Sequence, residues 1–86
     1  MDYEKIVHAL VDDIVDEPKS LFIRVDEDGD KDILITIAGE KGDTARLIGH
    51  KGIIANALRE IVNIAGKSED KHVHVKFESF DEKSED

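Results

Sequence analysis

The chain has 86 residues, of which 40% are hydrophobic and 38% charged, with no cysteine and a net charge of −9. That length favours one compact unit, and that balance is too apolar for a disordered chain and too charged for a membrane-spanning one. Disulfides, thiolate metal sites and nucleophilic-cysteine chemistry are excluded. No apolar run approaches the roughly 20 residues of a membrane helix, and the start Met-Asp-Tyr-Glu lacks a signal peptide's basic and apolar regions, so a soluble cytoplasmic domain with no membrane contact is expected.

Along the chain, apolar residues at Tyr3, Ile6, Val7, Leu10, Val11, Ile14 and Val15 recur with helical spacing, and Asp16-Glu17-Pro18 stops the pattern. Two alternating runs follow, Leu21, Ile23, Val25 and then Ile33, Ile35, Ile37, with Asp28-Gly29 between them offering a hairpin turn. Asp43 is suited to cap a short helix from Thr44 to Ile48, which Gly49 ends. A longer helix after Gly52 places Ile54, Ala57, Leu58, Ile61, Val62 and Ala65 on one face and Asn56, Arg59, Glu60 and Asn63 on the other, and Gly66 stops it. Val73, Val75 and Phe77 then alternate with His72, His74 and Lys76 in a last strand. The expected fold is therefore α+β with the order α-β-β-α-α-β, three helices packed on one face of a three-stranded mixed sheet. The first strand is placed at the centre, with an inward set of Ile6, Leu10, Ile14, Ile23, Ile35, Leu58, Ile61 and Val75. Residues 1–78 form the domain, and residues 79–86 form an acidic tail without periodicity, expected to be disordered.

Charge is unevenly distributed. Residues 1–40 carry −8, residues 41–59 carry +3 and residues 60–86 carry −4. The positive stretch contains Lys41, Arg46, Lys51 and Arg59 and surrounds Leu47-Ile48-Gly49-His50-Lys51-Gly52-Ile53-Ile54. Two glycines three apart between helices let a sugar-phosphate backbone approach closely, and amides at the start of the next helix attract negative charge. The intervening His50 and Lys51 would project at the phosphates. A second such spacing, Gly39-Glu40-Lys41-Gly42, follows a strand, carries an acid and reads as a loop leading to the Asp43 cap.

A GxxG loop joining two helices within a strand-helix-helix-strand unit marks the KH domain, whose loop clamps about four nucleotides. From about residue 3 to residue 78 the chain resembles the small bacterial KhpA family of single KH domains, a type II form with an additional helix and strand in front. The most specific parts are Ala9-Leu10-Val11-Asp12, Leu47-Ile48-Gly49-His50-Lys51-Gly52 and Ile54-Ala55-Asn56-Ala57-Leu58-Arg59. The chain departs from the family at Ile53, where members usually carry a basic residue, and at His50, where many carry lysine. The resemblance implies a non-enzymatic protein without cofactor that binds single-stranded RNA, as an RNA chaperone or post-transcriptional regulator. Gly49, His50, Lys51 and Gly52 would meet the backbone, Ile48, Ile53 and Ile54 would line the groove, and Asn56 would offer hydrogen bonds. Lys41 and Arg46 would add attraction, and His72 and His74 would flank the RNA on the last strand. It also implies a homodimer, or pairing with a larger KH-containing protein. The alternative is a protein-interaction module that keeps the fold but has little RNA affinity.

Other constellations carry less. Asp26-Glu27-Asp28-Gly29-Asp30-Lys31-Asp32 fails the EF-hand spacing, which needs glycine sixth and glutamate twelfth where this chain has Lys31 and Ile37. There is no nucleophile elbow or Walker loop, so catalysis is not expected.

Overall fold

The computed structural model describes residues 1–80. Its elements are α1 (Tyr3–Val11), β1 (Phe22–Asp28), β2 (Asp32–Gly39), α2 (Lys41–Ile48), α3 (Ile53–Lys67) and β3 (His72–Ser79), which is the expected order. Single 3-10 turns at Pro18–Ser20 and His50–Gly52 precede β1 and α3. Tyr3, Val7 and Val11 from α1, Leu47 from α2, and Leu58 and Val62 from α3 share one core with Ile23, Ile33, Ile35, Ile37, Val73 and Val75. All three helices thus cover one face of a mixed sheet, the arrangement of a type II KH domain.

The strand order differs from the expectation. β2 is central, antiparallel to β1 and parallel to β3, with Ile35 opposite both Val25 and Val75. Composition explains this. β2 offers apolar or small side chains on both faces, Ile33, Ile35 and Ile37 on one and Leu34, Thr36 and Ala38 on the other. β1 carries Arg24, Asp26 and Asp28 on its outer face, as an edge strand requires. The helical crossover leaving β2 returns its strand to the free edge of β2 itself.

The inward stripe of α1 is also rotated by one position. Tyr3, Val7, Val11 and the following Val15 are buried, whereas Ile6 and Leu10 are half-buried and Ile14 is 37% exposed. On α3, Ala55, Leu58 and Val62 point inward, while Ile61 is 43% exposed. The remaining members, Ile23, Ile35, Leu58 and Val75, are buried as expected. In this α1 register the Tyr3 hydroxyl donates to Glu69 Oε1 at 3.0 Å. Burial, and then this bond, raise the phenol above its ordinary pKa.

Asp43 does not cap its own helix. α2 begins two residues earlier, at Lys41, so the second GxxG is split between the end of β2 and the first turn of α2. Asp43 is instead 3% exposed and accepts the backbone N–H groups of Asp16 (2.9 Å) and Glu17 (3.0 Å) and Arg46 Nη1 (3.1 Å). It therefore fastens the α1–β1 connection to α2. α1 ends at Val11, sooner than its apolar pattern, where Asp12 and Asp13 oppose the helix dipole.

Gly66 lies within α3 and does not terminate it. A Cβ there would stand 2.7 Å from Val73 Cγ2 and 2.9 Å from the Lys71 carbonyl, so glycine permits α3 to close onto β3. Ser79 ends β3, and Phe80, in the turn that follows, donates its N–H to the Gly39 carbonyl at 2.9 Å, so the expected tail begins inside the sheet. The rest of that tail, residues 81–86, lies outside the described residues.

Candidate nucleic-acid interface

Leu47, fully buried, anchors the end of α2, and from there the chain turns through Gly49-His50-Lys51-Gly52 into α3. Gly49 adopts φ 77° and ψ 174°, a region essentially restricted to glycine, and its N–H donates to the Ala45 carbonyl at 3.0 Å. A Cβ at Gly49 would meet Ile54 Cγ1 at 2.9 Å and Ile54 Cβ at 3.1 Å. Gly52 is left-handed, with φ 76°, donates to the Gly49 carbonyl at 3.1 Å, and a Cβ there would meet nothing among the described residues within 4 Å. The first glycine thus packs the loop against α3, whereas the second faces open space. Gly49→Ala should combine about 1–3 kcal/mol of backbone strain with a collision. Gly52→Ala should cost only the roughly 1–2 kcal/mol of a left-handed alanine. Thermal unfolding midpoints would therefore rank wild type above Gly52→Ala and Gly52→Ala above Gly49→Ala, and equal midpoints for the two variants would contradict this division of roles.

Between the glycines, Lys51 holds φ 57° and ψ 25°, and the side chains of both His50 and Lys51 are exposed. Among the described residues no side chain caps the first turn of α3, so its amides and the positive end of its dipole face the loop. Ile48, 39% exposed, and Ile53, 67% exposed, flank the turn, and Ile54 is half-buried beneath Gly49. Asn56 is exposed on the first turn of α3. The structure therefore gathers eight of the expected residues, from Ile48 to Ile54 and Asn56, at one corner.

The other four are placed differently. Arg46 Nη2 lies 3.1 Å from Asp16 Oδ2 and its Nη1 3.1 Å from Asp43 Oδ1, so its charge is balanced locally. Lys41 is exposed at the opposite end of α2, roughly 10 Å along the axis from the loop at 1.5 Å per residue. His72 and His74 alternate with buried Val73 and Val75 and project from the face of the sheet away from the helices, where His74 Nε2 lies 3.2 Å from Asp32 Oδ1. They also lie toward the far end of the seam between α3 and β3. Asn63, ten residues after Ile53 and so about 15 Å along α3, meets Val73. His72 borders a shallow pocket there with Asn63, Lys67, Asp70 and Lys71. Strand alternation separates both histidines from the loop's corner.

The seam between α3 and β3 that leads away from the corner is closed by residues absent from the sequence-derived set. Asn63 Nδ2 donates to the Val73 carbonyl at 2.7 Å and its Oδ1 accepts Val73 N–H at 2.9 Å, while Arg59 Nη2 donates to the Val75 carbonyl at 3.2 Å. These side chains occupy the free edge of β3. Arg59 also lies over the Phe77 ring, 5.8 Å from its centroid. The available signal was the polar face Asn56, Arg59 and Asn63, spaced as a helix spaces residues along one side. That spacing does not say which strand the face meets.

A family profile described as KhpA/KhpB, KH domain, matches residues 4–77. The RNA-binding protein KhpA of Bacillus subtilis is 37% identical over 78 residues, covering 91% of this chain and 93% of the relative. The RNA-binding protein KhpA of Listeria monocytogenes is 31% identical over 72 residues, covering 84% of this chain and 93% of the relative. No solved structure gives a significant match. With the fold, the GxxG corner and these likenesses in agreement, the chain belongs to the KhpA/KhpB family of KH domains.

Proposed function

We propose that this protein binds single-stranded RNA through the Gly49–Gly52 corner and performs no catalysis itself. The observation that carries the reading is the open approach at Gly52 beside two exposed side chains, His50 and Lys51, and an α3 start that no side chain caps among the described residues. Phosphates would approach the backbone at Gly52, meet the α3 amides and pair with Lys51, while Ile48, Ile53 and Asn56 border the adjoining bases. Both relatives carry RNA binding in their names. Its role would be that of an RNA chaperone or post-transcriptional regulator in the bacterial cytoplasm. Among the described residues no helix is long and apolar enough to cross a membrane.

A single corner of this size holds few nucleotides. A homodimer, or association with a larger KH-containing protein, would raise avidity by adding a second groove. Ile53 and Ile64, 67% and 69% exposed on α3, supply apolar surface for such a contact and also favour the competing reading of a protein-interaction module.

A salt titration of binding to a pool of short single-stranded RNAs tests the proposal. Two or three phosphate contacts predict a fall of log affinity against log salt with a slope of about −1.4 to −2. Absence of binding at low salt would transfer the function to protein interaction.

A further inference from the structure

Resting on the RNA reading above, we propose that Arg59 and Phe77 form a stacking plate for one nucleobase of the bound strand. Arg59 lies six residues after Ile53, about 9 Å along α3 from its start, within the stretch of strand that a GxxG loop clamps. Its guanidinium is oriented by two hydrogen bonds and lies over an aromatic ring. Nη1 donates to Asn56 Oδ1 at 3.3 Å, Nη2 donates to the Val75 carbonyl at 3.2 Å, and Cζ stands 5.8 Å from the Phe77 ring centroid, within cation–π range. Phe77 is half-buried and packs against the core, which fixes the support in turn.

The other arginines serve a different purpose. Arg24 lies against Asp26, and Arg46 against Asp16 and Asp43. Arg59 instead has two neutral acceptors and an aromatic face, and it is exposed. A flat, preoriented guanidinium with no carboxylate partner among the described residues, near a phosphate-binding turn, suits a base, because guanidinium planes and aromatic rings are the surfaces on which unpaired RNA bases stack. Stacking engages the π-face that every base has, so the plate would tolerate any sequence and favour purines for their larger area.

Arg59→Lys separates this role from charge, since lysine keeps the cation but loses the plane. Its affinity for a short single-stranded RNA should fall about tenfold, with the salt slope unchanged. An abasic scan of the same RNA should find one position whose base removal weakens wild-type binding by a similar factor and leaves Arg59→Lys unaffected. Phe77→Leu, which keeps an apolar contact with the core but removes the ring, should reproduce the pattern, with far-ultraviolet circular dichroism reporting that each variant is folded. The plate is overturned if Arg59→Lys binds as wild type does, or if its loss and that of every abasic position multiply independently. Failure of wild type itself to bind RNA would overturn the parent reading and the plate with it.

Discussion

Replacing His50 and Lys51 together with Asp is expected to abolish RNA binding while leaving the fold intact. Both side chains are exposed, and exposed substitutions usually change stability by no more than about 0.5 kcal/mol. Position 51 is left-handed, a conformation that Asp tolerates better than most residues, so that substitution adds no backbone strain. At the corner the effect is large. Two carboxylates would stand where phosphate arrives, opposing the attraction of the α3 amides, and the Lys51 cation would be gone. If residual binding is measurable, its salt slope should be shallower by about 0.7, the contribution of one lost phosphate contact on a single strand. A double variant that unfolds at the wild-type midpoint and binds RNA unchanged would refute the loop mechanism.

The largest expected effect on stability belongs to Asp43→Ala. The carboxylate is buried and receives two backbone N–H groups from the α1–β1 connection as well as the Arg46 guanidinium. Hydrogen bonds to a charged group contribute about 1.5–3 kcal/mol each, and removing the acceptor leaves two donors without a partner. A loss of about 3 kcal/mol is expected, which for a domain of this size lowers the melting temperature by roughly 12–24 °C. Asp43→Asn keeps one acceptor oxygen and should lose about half as much. Because Asp43 lies away from the loop, the folded fraction of either variant should bind RNA with wild-type affinity. Arg46, bonded to the same carboxylate, should behave alike, with Arg46→Ala lowering stability more than RNA affinity. A loss below about 1 kcal/mol in Asp43→Ala would show that water replaces the carboxylate, contrary to the burial observed.

The corner itself was legible because its determinants are local. Gly49 and Gly52 stand three apart between two apolar periodicities, the conformations they adopt are rare for other residues, and Lys51 is a cation between them. The element order was legible for the same reason, since helical and strand spacings are properties of short segments. The band of apolar residues on α1, in contrast, is wide enough to hold two stripes, one through Tyr3, Val7 and Val11 and another through Ile6, Leu10 and Ile14. Period alone does not choose between them. The Tyr3–Glu69 hydrogen bond, across 66 residues of sequence, accompanies the first.

What the sequence determined by itself was therefore the set of elements, the position of the GxxG turn and the Lys51 cation within it, each encoded within a few residues. Only the tertiary structure decided that β2 takes the centre, that Asp43 serves the loop before β1, that His72 and His74 face away from the helices, and that Arg59 meets Phe77. Those outcomes depend on which strand edge and which helix face meet, and contacts between residues distant in sequence set that choice through burial and hydrogen-bond satisfaction.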